Sequence, residues 1–118
     1  MKKRILVIEG DLNVLDYMLN FLQSADFDGA GAESLDAACT IAARTPFDLI
    51  MLDTNLTGAS IATVCASLTS TPCNQNTPFL FIGGSEDRSV PGSTVVAAMK
   101  KPFDPDRLLT IIRQTLED

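Results

Sequence analysis

The chain has 118 residues, 46% of them hydrophobic and 20% charged, which is enough for one compact domain with a single core. Its formal charge of -6 argues against a nucleic-acid surface, and the absence of histidine excludes Ser-His-Asp and Cys-His catalysis, ordinary His-metal sites and a phosphohistidine carrier role. No apolar stretch approaches the roughly 20 residues of a membrane span, so the expectation is a cytoplasmic protein with no membrane and no nucleic-acid partner.

In chain order, Ile5, Leu6, Val7 and Ile8 form a short apolar run that suits a strand buried on both faces. The basic triplet Lys2, Lys3 and Arg4 before it reads as a solvated edge. Asp11 reads as an N-cap, and Leu15, Met18, Leu19 and Leu22 mark one face of a first helix ending near Ala25. Residues 27–32 form a weak, glycine-containing strand. Ser34 then caps a second helix with its stripe at Leu35, Ala38, Ile41 and Ala42, and Thr45-Pro46 closes it. Leu49-Ile50-Met51-Leu52 is the strongest strand signal, with Asp53 directly at its end.

After a turn at 54–59, Ile61, Val64, Cys65 and Leu68 predict a third helix, and the polar run 70–77 reads as a loop. Phe79-Leu80-Phe81-Ile82 is a fourth strand, followed by a turn with Gly83-Gly84. Pro91-Gly92 argues against a long helix in the segment that follows. Residues 95–99 read as a fifth strand, and Asp104-Pro105 starts a last helix with its stripe at Leu108, Leu109, Ile112 and Leu116. The three cysteines have no Cys-x-x-Cys spacing and indicate neither disulfides nor zinc. Cys39 and Cys65 fall on apolar helix faces, whereas Cys73 lies in the polar loop as an exposed thiol.

Strands alternating with helices predict an α/β fold over residues 1–118. Its five-stranded parallel sheet is doubly wound, with helices on both faces and the fourth helix, between the fourth and fifth strands, short or missing. In such a sheet ligands meet the carboxyl ends of the strands, where Glu9, Asp53, Gly83 and Lys101 fall.

Three segments in this order, Ile5-Leu6-Val7-Ile8-Glu9, Asp48-Leu49-Ile50-Met51-Leu52-Asp53 and Lys101-Pro102-Phe103-Asp104, resemble a response-regulator receiver domain with a flavodoxin-like fold. The resemblance spans essentially the whole chain. It implies a non-enzymatic signalling module of a two-component phosphorelay. Asp53 would accept a phosphoryl group from a histidine kinase or phosphotransfer protein, and the domain would then signal to a downstream protein partner. Lys101 would neutralise the transferring oxygens, oriented by Pro102 at a Lys-Pro junction that is usually cis in the family. Magnesium would be held by Glu9, Asp53 and the main-chain carbonyl of Asn55.

Three departures mark the chain as an atypical member. Gly10 stands where the family has a direct magnesium carboxylate, so magnesium should bind weakly or not at all; Asp11 is an alternative ligand, weighed against its role as a cap. Gly83 lacks the hydroxyl that bonds a phosphoryl oxygen, a contact worth roughly 1.5–3 kcal/mol, and Ser85 is poorly placed to replace it. Ala98 occupies the aromatic switch position, and the segment from Gly83 to Lys101 is short, which puts phosphorylation-driven dimerisation in doubt and leaves a homodimer open. The alternative function is a phosphorylation-independent pseudo-receiver acting as a protein-interaction module. A flavin or nucleotide binder fits less well, because Gly29-Ala30-Gly31 lacks a third glycine.

Overall fold

The computed structural model describes residues 2–54, 61–83, 95–99 and 104–117, with 61, 62 and 95–99 described by their backbone alone. Strands β1 (Arg4–Ile8), β2 (Asp28–Ala32), β3 (Leu49–Asp53), β4 (Phe79–Ile82) and β5 (Val95–Met99) form one sheet in the order β2-β1-β3-β4-β5. Every neighbouring pair is parallel. The described helices are α1 (Leu12–Ser24), α2 (Leu35–Ala42), α3 (Ile61–Thr69) and α4 (Pro105–Leu116), with a single 3-10 turn at Pro72–Asn74. The helix expected to be short or missing between β4 and β5 falls in 84–94, outside the described residues.

Side-chain alternation along the strands with described side chains, β1 to β4, divides the interior in two. Ile5, Val7, Leu49, Met51, Leu80 and Ile82 pack against Leu15, Met18 and Leu22 of α1 and Leu108 and Ile112 of α4. Leu6, Ile8, Ile50, Leu52, Phe79 and Phe81 pack on the opposite face against Ala38 and Ala42 of α2 and Val64, Cys65 and Leu68 of α3. With a helix layer on each side, β3 has no solvent-facing position and is buried throughout. That explains its uninterrupted apolar sequence.

Helix starts follow the capping chemistry. The Asp11 side chain accepts the amides of Asn13 and Val14, Ser34 accepts that of Ala37, and Asp104 accepts that of Asp106 ahead of Pro105. The basic N-terminus is a solvated edge: Lys2 and Arg4 lie 3.5 Å from Asp26 and Asp28, respectively, in exposed ion pairs.

The glycines of β2 do more than weaken a strand, since a Cβ on Gly31 would stand 3.0 Å from Leu19 and 3.1 Å from Leu15, and one on Gly29 would stand 3.2 Å from Leu19. They let α1 lie close on the sheet edge. The polar run 70–77 is not a plain surface loop, because Asn74 is fully buried. Its amide nitrogen donates to the carbonyls of Ala42 (2.7 Å) and Thr45 (2.9 Å), while its oxygen accepts from the Phe47 amide (2.8 Å) and the Thr77 hydroxyl (3.0 Å). This network ties the entry of β3 to the entry of β4. It therefore fixes the height at which both strands deliver their carboxyl ends.

Candidate functional site

In this strand order the chain moves to one side of β1 for β2 and to the other for β3, so a crevice opens beyond the carboxyl ends of β1 and β3. Asp53 ends β3 and Glu9 directly follows β1, each one register step beyond the Ile8–Leu52 pair. Adjacent strands run about 4.8 Å apart, which makes these two carboxylates neighbours at the crevice. Both are largely withdrawn from solvent, Glu9 at 4% exposure and Asp53 at 8%. Two buried acids side by side are costly unless cations or hydrogen-bond donors compensate them, and such a pair at a crevice marks a candidate functional site.

Glu9 is held from two directions. Its amide donates to the Ala32 carbonyl at 3.0 Å, extending the β1–β2 pairing, and its Oε2 accepts the Asp11 amide at 3.1 Å. The start of α1 thus bends back onto the Glu9 carboxylate. Asp11 itself caps α1 through Oδ1, 2.9 Å from the Asn13 amide and 3.4 Å from that of Val14, and it is exposed.

Beside Asp53, the β3–β4 ladder continues one step further. Asp53 pairs with Ile82, and the next amide, that of Thr54, donates to the Ile82 carbonyl at 2.9 Å. Gly83 follows β4, is buried, and has φ of 89°, a region that residues with a Cβ rarely adopt. The glycine read from sequence as a lost hydroxyl is therefore also a conformational requirement of this turn. That second role was hidden in the sequence, although the Gly83-Gly84 pair was a signal for it.

Glu9 and Asp53 are thus brought together, whereas Asn55, Lys101, Pro102 and Ser85 lie outside the described residues, as does the side chain of Ala98. Magnesium takes hard oxygen ligands and commonly uses one or two carboxylates while retaining several waters. The Glu9–Asp53 pair suits that chemistry. Among the described residues no group of three or more His, Cys, Asp or Glu is placed to hold a metal.

No curated protein matches the sequence. Several solved structures share the architecture. Chemotaxis protein CheY4 of Vibrio cholerae superposes with a TM-score of 0.82 at 20% identity, covering 98% of this chain and 100% of that one. A sensor protein from Polaromonas sp. JS666 gives 0.86 at 18% identity, covering 99% and 98%. The N-terminal domain of a response regulator/sensory box/GGDEF 3-domain protein from Carboxydothermus hydrogenoformans gives 0.80 at 20%, covering 98% and 94%. At such identities the likeness shows the α/β flavodoxin-like fold. The sequence profile of the response regulator receiver domain, by contrast, matches residues 5–113, a span that holds both β-strand carboxylates and nearly all of the core. This chain belongs to the response regulator receiver domain family of two-component signalling.

Proposed function

We propose that Asp53 accepts a phosphoryl group from a phosphohistidine on a partner kinase or phosphotransfer protein, and that the domain conveys this state to a downstream protein. The observation that carries the reading is the placement of Asp53: a buried carboxylate at the tip of the central strand, beside Glu9 at the topological crevice. In the transfer, an Asp53 carboxylate oxygen attacks phosphorus as the P–N bond to the partner's imidazole breaks. The departing nitrogen keeps the bonding pair, and Asp53 becomes an acyl phosphate. The domain is the partner's substrate in this step rather than an enzyme in its own right.

Glu9 and Asp53 would hold magnesium, with the Asn55 carbonyl as a further ligand. When bound, the ion would supply positive charge to the oxygens of the group in transfer. Lys101, two residues after β5 in the sequence, would pair with Asp53 beforehand and with a phosphoryl oxygen afterwards. Glu9 is held in place by the Asp11 amide, so its side chain would lose less conformational freedom on holding a metal.

The test is incubation with magnesium and a small phosphoryl donor, read by intact mass. A gain of one phosphoryl group that Asp53→Asn abolishes supports the reading, and no gain at millimolar magnesium refutes it. Replacing Gly10 by Asp adds a carboxylate beside Glu9, and magnesium affinity measured by titration is expected to rise about tenfold. Unchanged affinity would show that Gly10 does not adjoin the metal.

A further inference from the structure

A phosphoryl group on Asp53 would carry three charged oxygens into a crevice lined by carboxylates, and it needs hydrogen-bond donors there. Among the described residues at the carboxyl ends of the strands, two carry hydroxyls, Ser34 and Thr54. Ser34 lies beyond the edge strand β2, and its Oγ accepts the Ala37 amide as the cap of α2. Thr54 directly follows Asp53 and stands at the tip of the sheet.

We propose that the Thr54 hydroxyl donates to the phosphoryl group on Asp53 and so takes the place of the side chain that Gly83 lacks. The inference rests on Asp53 being the acceptor. Thr54 is opposite Gly83 in the ladder, since Asp53 pairs with Ile82 and the Thr54 amide binds the Ile82 carbonyl. Its Oγ1 lies 3.4 Å from that same carbonyl, which places the hydroxyl at the tip of β4. For an O–H donor this contact is long, and the carbonyl is already served by the Thr54 amide at 2.9 Å. Turning the hydroxyl toward a charged oxygen therefore costs little. The residue is half-buried, so the bond would form partly shielded from water.

Thr54 is a positioning residue for the phosphorylated state, and its effect differs from that of a structural threonine. The experiment measures beryllofluoride affinity in the presence of magnesium for the wild type, Thr54→Val, Thr54→Ser and Asp53→Asn, together with each protein's thermal midpoint without ligand. Thr54→Val is expected to weaken binding about tenfold or more, the effect of losing one hydrogen bond to a charged group. Thr54→Ser is expected to retain wild-type affinity, and the ligand-free midpoint of Thr54→Val to stay near that of the wild type. Equal affinity of Thr54→Val and wild type, with binding still abolished by Asp53→Asn, overturns the role of Thr54 while leaving Asp53 as acceptor. Loss of affinity in Thr54→Ser equal to that in Thr54→Val also overturns it. Absence of beryllofluoride binding in the wild type overturns the acceptor reading and this one with it.

Discussion

Replacing Asn74 by Ala isolates the buried joint beneath the site. The change removes two donors and one acceptor from a position with no solvent exposure. The Ala42 carbonyl keeps the Thr71 hydroxyl at 3.2 Å, and the Thr77 hydroxyl keeps the Phe47 carbonyl at 3.1 Å. The Phe47 amide and the Thr45 carbonyl lose their bonds to Asn74, at about 1–3 kcal/mol for each buried group left unsatisfied. The expected loss is about 3 kcal/mol, or about 10 °C in thermal midpoint for a domain of this size. Asn74→Asp keeps the volume but turns an acceptor toward the Ala42 and Thr45 carbonyls, so at pH 7 it is expected to cost at least as much. The folded state would raise that carboxyl's pKa above its unfolded value of about 3.9, since only the protonated form can donate. The deficit of Asn74→Asp against wild type is then fully present above the folded pKa and shrinks as pH falls through it. Urea unfolding followed by circular dichroism at pH 7 and at lower pH measures both effects. A loss below about 1 kcal/mol in Asn74→Ala, at unchanged urea dependence, would refute the claim that this network joins β3 to β4.

Gly83→Thr is expected to destabilise the fold by about 1–3 kcal/mol, because φ of 89° strains a β-branched residue, and Gly83→Ala should also lose stability. Unfolding curves that match the wild type would show that the turn relaxes without cost. Iodoacetamide labelling resolved by peptide mass spectrometry should modify exposed Cys73 first and buried Cys65 last. Cys39 should lag Cys73 near pH 8, since burial and, secondarily, the charge of Asp36 hold its thiol pKa above the usual value. Labelling of Cys65 as fast as Cys73 would contradict the packing of α3 on the sheet.

Much of the architecture was legible because its signals are local. The apolar runs that became β1, β3 and β4 reflect burial on both faces, and the stripes of α1, α2 and α4 reflect burial on one. The caps Asp11, Ser34 and Asp104 act within a few residues, so spacing alone revealed them. Asn74 escaped that reading because its partners Ala42, Thr45 and Phe47 are 27 to 32 residues away. A polar residue in a polar run gives no sign that it will be buried. Gly29 and Gly31 had a weak signal in their spacing of two, which puts both on one strand face, but the leucines that need the space belong to α1. At the site, Glu9 and Asp53 were legible as strand-end carboxylates. Thr54 was read only as the start of a turn, since its bond to the Ile82 carbonyl depends on the pairing of β3 with β4.

The most direct measurement of the central claim is intact-mass analysis after incubation with a small phosphoryl donor and magnesium, with the modified residue located by peptide sequencing. The account predicts one added phosphoryl group, on Asp53, absent in Asp53→Asn. An unmodified wild type at millimolar magnesium, or a phosphoryl group on another residue, would contradict it.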